Sequence, residues 1–438
     1  MSPRPQPPQA PSRRRQRWTL LIASTFAFTV CFMVWTMYGV IGVPIKRELG
    51  LSATEFGLLV SMPVLTGALL RLPVGMWTDK YGGRIVFFLL MLGTVVPLWL
   101  VSYASEFWHF LVLGLFVGAA GGSVAVGAPY VARWFDKSQQ GFAMGLFGVG
   151  NVGAAFTKFL APALLVAYGW TIVPQVYAIS MLLMALLFWY FTYDDPSHLD
   201  TKVTWREQLA VMRDPKVWRY CQYYSIVFGA YVALALWMTQ YYIGEFGLSI
   251  QTAALLAAAY SLPGGILRAL GGWLSDRYSA HKVTWWVLWV SWVCLLLLSF
   301  PATTYTIQTA EGPWTFTLAH NVWTFTILLF VLGTASAFGK ASVFKYCSDD
   351  YPQNMGVVLG MVAMVGAIAA FLLPIMFGVL MDLTGIRATA FMLLFGVVCV
   401  SLVWMYWTEV RRIDPLRGHM PDGNGLAPRA APPHPSSF

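Results

Sequence analysis

The sequence predicts an all-α integral membrane protein with twelve transmembrane helices in two six-helix bundles. Three observations carry this expectation. Of 438 residues, 58% are hydrophobic and only 11% charged, and the mean hydropathy is positive, which excludes an ordinary soluble domain. The apolar runs that short charged loops separate number twelve. One stretch is used twice: RLPVGMWTDKYGGR from Arg71 to Arg84, and RALGGWLSDRYSAHK from Arg268 to Lys282. The copies lie nearly half the chain apart, which marks two related halves of one machine.

Residues 1–17 form a tail rich in proline and arginine, with Arg13, Arg14, Arg15 and Arg17 directly ahead of an apolar run. That run, Trp18–Pro44, is too long for a signal-peptide core and lacks a small-residue cleavage site. It therefore reads as a retained first helix, with the arginines holding the N-terminus in the cytoplasm. The N-terminal bundle, residues 18–193, continues with Glu55–Trp77, Ile85–Tyr103, Trp108–Trp134, Phe142–Tyr168 and Thr171–Tyr193. A polar cytoplasmic linker, 194–219, carries charges of both signs. The C-terminal bundle, 220–408, consists of Tyr220–Phe246, Ala253–Leu274, Val283–Tyr305, Val322–Tyr346, Met355–Met381 and Ala388–Trp407. A Pro-, Gly- and Ala-rich cytoplasmic tail, 409–438, is expected to be disordered.

Twelve spans place both termini on the cytoplasmic side, and the charges agree. Lys80, Arg84, Arg133, Lys137, Arg277, Lys282 and Lys345 fall at cytoplasmic loops, whereas the opposite side has mainly Lys46, Arg47 and Arg387. The net charge of +9 thus reflects orientation and gives no reason to expect a nucleic-acid partner. The five cysteines show no ligand spacing and the six histidines fall in loops, tails and span ends, so neither a metal, a cofactor nor a membrane redox enzyme is expected.

Four ionisable residues sit well inside the spans: Arg71, Arg268, Lys158 and Lys340. No aspartate or glutamate accompanies them. In each repeat the arginine stands eight residues before an aspartate at the membrane surface. At about 1.5 Å per residue this carries it roughly 12 Å inward. An arginine keeps its proton there and needs an anionic partner. Equivalent depth in both halves favours ligand binding over snorkelling, and two planar forks suit a small planar oxyanion. Lys158, central in GNVGAAFTKFLAP, has little scope to snorkel. Lys340, in GKASVFKY, lies nearer the cytoplasmic end of its span, where snorkelling and a functional role both remain open.

Asn151, among the glycines of the fifth span, can donate to an oxyanion or bond a neighbouring helix. Phe32, Tyr224 and Phe228 lie near the midplane of cavity-lining helices and can flank a weakly hydrated ion or simply pack. The repeat's other members, Gly75, Asp79 and Arg84 with Gly272, Asp276 and Arg277, suit a loop that a charge network holds in one conformation and releases in another. A plain helix-end interaction is the alternative.

With these residues in view, the chain resembles the nitrate/nitrite porter (NarK-like) family of the major facilitator superfamily, over about Trp18 to Trp407. The resemblance rests on Arg71 before LPVG, Arg268 before ALGGWLSDR, and the nitrate-signature-like GVGNVGAAFTKFLAP. It implies the major facilitator fold, a nitrate or nitrite clasped by Arg71 and Arg268, flanking roles for Phe32, Tyr224 and Phe228, and Asn151 as the signature asparagine. The second signature keeps Gly366 but has Ala369 and Ala370 where glycines are expected. The lysines in TKF and GKASVFK resemble the proton-coupled branch, and a buried lysine could carry the proton.

The expected function is nitrate import across the bacterial cytoplasmic (inner) membrane, by proton symport and alternating access between the bundles. Nitrate/nitrite exchange is the nearest alternative, since two fixed charges would keep an empty carrier from reorienting. A carrier of another small anion, or a non-transporting anion sensor, are further alternatives. The partners expected are nitrate, possible nitrite, protons and the lipid bilayer, with no obligate protein partner.

Overall fold

A computed structural model describes residues 11–194, 213–310, 312–351 and 355–410. Among these, ten helices are long and apolar enough to cross a bilayer: Arg14–Leu49, Gly83–Tyr103, Phe107–Arg133, Ala143–Tyr168, Ile172–Phe191, Pro215–Phe246, Ala280–Leu298, Val322–Asp350, Val357–Thr384 and Thr389–Glu409. Two more crossings are bent pairs, Ala53–Leu69 with Arg71–Tyr81 at 40°, and Ile250–Ile266 with Arg268–Tyr278 at 47°. In chain order these twelve are spans 1 to 12, the bent pairs being spans 2 and 8.

Both bends fall at the repeated stretch, and each sets an arginine at the first position of the inner helix. In span 2 the Pro73 ring has no N–H to give the Leu69 carbonyl and crowds it, which turns the axis there. Span 8 lacks that proline. Instead Lys340 Nζ donates to the Gly264 carbonyl at 2.7 Å, the acceptor an unbroken helix would offer to the Arg268 N–H. A side chain inserted into the backbone ladder, next to the Gly264–Gly265 pair, gives the second bend.

Several boundaries differ from the sequence expectation. The first helix begins at Pro11, ahead of Trp18. Span 7 begins at Pro215, inside the expected linker, because the Asp214 carboxylate accepts from the Lys216 N–H at 2.9 Å and caps the helix. The Tyr351 hydroxyl, foremost, and this N–H hold the Asp214 carboxyl below its usual range. The ninth span ends at Leu298, and Tyr305 belongs to a strand: β1 (Thr303–Thr309) pairs antiparallel with β2 (Gly312–Leu318). The alternation of threonine with apolar residues there has period 2, and length alone had assigned part of it to a helix.

Glu409, placed by sequence at the start of a disordered tail, is instead held in the fold. It accepts from Arg219 at 3.2 Å, from His281 Nδ1 at 2.9 Å, from the Tyr223 hydroxyl at 3.3 Å and from the Tyr346 hydroxyl, and its side chain is 11% exposed. The Arg219 guanidinium and the three further donors offset the cost of burying this carboxylate. The rest of the expected tails, 1–10 and 411–438, and the linker residues 195–212 lie outside the described residues.

The two halves of the chain meet where span 2 runs along span 11 and span 5 along span 8. At the end away from the chain termini the backbones touch. A Cβ on Gly57 would lie 2.3 Å from the Pro374 carbonyl oxygen, and one on Gly378 2.3 Å from that of Ala53. At the other end a Cβ on Gly75 or Gly272 would meet nothing within 4 Å. Each of these glycines stands one turn from its arginine on the same helix face, so the arginine-bearing faces look into open space toward the termini.

Glu409→Ala should destabilise the protein by roughly 3–5 kcal/mol, because it strands Arg219. Thermal unfolding in detergent would show this as a clear loss, and an unchanged midpoint would refute the anchoring role.

Candidate functional site

The two arginines end one ladder of rings. Tyr224 stacks on Phe228 (centroids 5.1 Å apart, planes 14° apart) and on Phe344 (4.9 Å, 18°). The Arg71 guanidinium lies 5.1 Å from the Phe228 centroid and that of Arg268 lies 5.0 Å from the Phe344 centroid. The contacts run in the order Arg71, Phe228, Tyr224, Phe344, Arg268, with one cation from each repeat; the series is bent, because the two guanidinium groups lie in each other's field as well as in that of Tyr224.

Local sequence explains the ladder. Tyr224 ends a regular helical stretch, and the π-helical turn Ser225–Ala230 that follows carries Phe228. Such turns widen the helix and re-aim its side chains. Gly366 of span 11 makes room for the middle ring, since a Cβ there would lie 2.5 Å from Tyr224 Cδ1. The alanines at 369 and 370 do not keep span 11 away. Gly229 of span 7 supplies the approach, its own Cβ position falling 2.8 Å from the Gly366 carbonyl oxygen.

The charges are incompletely compensated. Arg71 is 6% exposed and donates through Nη1 to the Ala363 carbonyl at 2.6 Å, but its Nε is buried with no hydrogen-bond partner. Among the described residues, no carboxylate forms an ion pair with Arg71, Arg268, Lys158 or Lys340. A cation–π contact returns about 0.5–2 kcal/mol, against several kcal/mol to desolvate each ion. The pair of guanidinium groups is thus short of negative charge, which a bound anion would supply. Asn151 adds a second orphan: it is 2% exposed, sits in the 3-10 turn Val149–Val152, and its Nδ2 donor is buried without a partner.

The lysines converge on span 8, just before its bend. Lys158 Nζ donates to the Ser261 hydroxyl. Lys340 is fully buried, holds the Gly264 carbonyl and lies 3.5 Å from the Tyr231 ring centroid, while the Tyr231 hydroxyl donates to the Ser261 carbonyl at 2.7 Å. Lys340 therefore does not snorkel. Phe32 takes its ring contacts from Phe28 and Trp35 of its own span, at 5.8 and 5.3 Å, and is not part of the ladder.

The loop residues pair within their own halves. Asp79 accepts from Arg133 of span 4 and Asp276 lies 3.8 Å from Lys345 of span 10, so the repeat extends to the partner cations. Arg84 donates to the Trp189 carbonyl at 2.7 Å and lies 3.4 Å from Asp194. Arg277 lies over Trp273 and Tyr278 at 5.5 and 5.7 Å.

Two participants escaped the sequence. Phe344 was within reach, one helical turn beyond Lys340 in GKASVFKY. Asp382 was not: it accepts from the Ala53 N–H (3.0 Å), the Thr54 N–H (2.8 Å) and the Thr54 hydroxyl (2.6 Å), latching span 11 to the N-terminus of span 2 at the closed end. A carboxylate at a helix N-terminus also meets the positive end of the helix dipole.

Two sequence-related halves that meet around buried cations, in backbone contact at the end away from the termini, define a two-bundle membrane carrier. A profile described as the Major Facilitator Superfamily matches residues 24–314. A Thermus thermophilus protein named as a nitrate/nitrite antiporter, NarK1, is 38% identical over 94% of this chain and 96% of its own. The nitrite extrusion protein of Bacillus subtilis is 29% identical over 86% and 92%. A bacterial homologue of the human lysosomal transporter Spinster, solved in an inward-facing, occupied conformation, superposes with a TM-score of 0.67 at 16% identity over 90% of this chain and 97% of its own, which establishes the fold. The chain belongs to the major facilitator superfamily, among its NarK-like nitrate/nitrite porters.

Asp382→Asn removes the charge from the latch. With charge-assisted hydrogen bonds worth about 1.5–3 kcal/mol, the closed end should open more often by a factor of roughly ten or more. Spin labels on Arg47→Cys and Leu383→Cys would then show a longer distance population that the unsubstituted latch lacks. An identical distance distribution would exclude the latch.

Proposed function

We propose that this protein imports nitrate by alternating access, that nitrite is a second substrate, and that Arg71 and Arg268 clasp the anion between the halves. The observation that carries the clasp is the pair of buried arginines, one from each repeat, which lie in each other's field and in that of Tyr224, with no carboxylate among the described residues to neutralise either. A planar oxyanion can accept two hydrogen bonds from each fork while its flat face meets the rings. The anion crosses chemically unchanged, so no catalytic group is required. Tyr224, Phe228 and Phe344 flank it, Asn151 is a further donor, and Phe32 supports the fold of span 1.

We place both termini in the cytoplasm of a bacterial inner membrane, on the cation-rich loops at that end. The closed end then faces outward and the described conformation is open to the cytoplasm. Asp79 with Arg133, and Asp276 with Lys345, anchor the loops that must shift when that end closes.

For coupling, proton symport is supported by Lys158, a buried amine that, unlike an arginine, can exist without its proton and whose partner is a neutral hydroxyl. Nitrate/nitrite exchange is the second reading. It is favoured by the name of the Thermus relative and by Lys340, whose bond to the Gly264 carbonyl gives it a structural task at the bend beneath Arg268.

Replacing either arginine by lysine keeps charge and loses the fork. At about 1.5–3 kcal/mol per charge-assisted bond, nitrate should bind roughly 10- to 100-fold more weakly, and Phe344→Leu should weaken it by up to about tenfold. Binding to purified protein by calorimetry tests both, and wild-type affinity in the lysine variants would remove the clasp.

Uptake into liposomes separates the coupling modes. An acid-outside gradient should drive nitrate into empty vesicles, and Lys158→Met should abolish that response while leaving exchange against trapped nitrite. Uptake only with an anion trapped inside would establish exchange instead.

A further inference from the structure

The β1–β2 hairpin plays no part in the carrier site, yet its two faces differ in character. Cross-strand pairs place Tyr305 opposite Phe316, Ile307 opposite Trp314, and Thr303 opposite Leu318 on one face, while Thr304 pairs with Thr317 and Thr306 with Thr315 on the other. Tyr305 and Phe316 stack at 5.2 Å, and Trp314 lies 5.2 Å from Phe316. Side chains on alternate residues point to opposite faces, so one face is mainly aromatic and aliphatic, with Thr303 and Thr309 at its ends, and the other carries four threonines with Gln308 and Pro313. After the first residue of each strand, every residue on both faces is exposed.

An isolated two-stranded hairpin is marginal in water and needs a surface to pack on. Among the described residues this one finds none, since its side chains are exposed on both faces. It springs directly from membrane-spanning helices, beginning shortly after Leu298 and ending shortly before Val322. The His320 ring Nε2 donates to the Leu297 carbonyl at 2.8 Å, tying the hairpin base to the end of span 9. The residues that flank it in the chain are also apolar and strongly exposed: Phe300 beside the end of span 9, and Trp323 and Ile327 at the start of span 10. The sequence from 303 to 318 holds one residue charged at neutral pH, Glu311, which gives a charged protein partner little to recognise.

We infer that the hairpin is an in-plane membrane anchor, lying on the outer surface of the bilayer with Tyr305, Ile307, Trp314, Phe316 and Leu318 in the headgroup–acyl boundary and its threonines toward water. The partner is the lipid interface. Aromatic rings with polar edges favour that depth. The unpaired backbone groups of both strand edges exclude the hydrocarbon interior, where nothing would satisfy them, and remain hydrated at the interface. The anchor fixes the outer ends of spans 9 and 10 against the membrane plane, giving the C-terminal half a reference as the halves rock.

The test uses the full-length protein in liposomes of neutral phospholipid, spin-labelled at Ile307→Cys or Trp314→Cys on the apolar face and at Thr306→Cys or Thr315→Cys on the polar face. Cys31, Cys221, Cys294 and Cys347 are buried, so labelling of unsubstituted protein gives the background. Collision with oxygen, which concentrates in lipid, is compared with collision with a water-soluble nickel chelate. The oxygen-to-nickel ratio should be several-fold higher on the apolar face. Quenching of tryptophan fluorescence by lipids brominated near the headgroup should also fall in Trp314→Phe. Equal, nickel-accessible labels on both faces would overturn the anchor by showing a hairpin free in water. Apolar-face labels shielded from both reagents would overturn it in favour of a protein contact, such as strand pairing with a second copy.

Discussion

Two guanidinium charges are held inside a membrane with no carboxylate paired to them among the described residues. Burial costs each several kcal/mol, and what the protein gives back is small: a carbonyl at 2.6 Å to Arg71 and one ring face to each cation. Most of the site follows from that deficit. The rings are stacked nearly parallel because flat faces carry the partial negative charge that a cation can use. The π-helical turn after Tyr224 and the glycine at 366 let three rings pack beside the two arginines. An anion that accepts from both forks repays what the protein leaves outstanding, so occupancy and the stability of the assembled site rise together.

The same deficit ties binding to motion. One arginine belongs to each half, and the ladder is complete only while the halves are near each other at that depth. Two like charges resist approach, and an anion between them reverses the sign of the interaction. The outer ends show what a closed contact requires: backbone against backbone at Gly57 and Gly378, finished by a carboxylate on the N-terminus of span 2. At the other end, among the described residues, a Cβ on Gly75 or Gly272 would meet nothing, and ion pairs there join spans of one half, as in Asp79 with Arg133 and Glu409 with Arg219. Close packing and ion pairs of this kind switch between discrete arrangements and do not deform gradually.

The spans, the repeat and the buried cations were legible because each is a local signal: a run of apolar residues, a motif used twice, a charge where lipid forbids one. Matches to the superfamily and to nitrate/nitrite porters agree with the family that Arg71, Arg268 and the Asn151 signature suggested. Phe344 was half-legible, lying in a quoted motif but overshadowed by Lys340. Asp382 gave no signal, since its partners at 53 and 54 are more than three hundred residues away in the chain. Glu409 was misread for a related reason: next to a Pro- and Gly-rich sequence it looks like tail, and only Arg219, His281 and Tyr346, brought from three other spans, make it part of the fold.

Sequence by itself determined that the protein spans a membrane, that it has two related halves, and that each half carries an arginine into the bilayer. These follow from hydropathy, repetition and the cost of an unshielded charge, none of which depends on which helices are neighbours. Tertiary structure alone decided that the two arginines share one ladder of rings, that Lys340 holds open the bend beneath Arg268, and that the carrier is shut at the Asp382 end. Those facts depend on side chains meeting across segments distant in the chain, and packing, which sums many weak contacts at once, has no signature in any single stretch of residues.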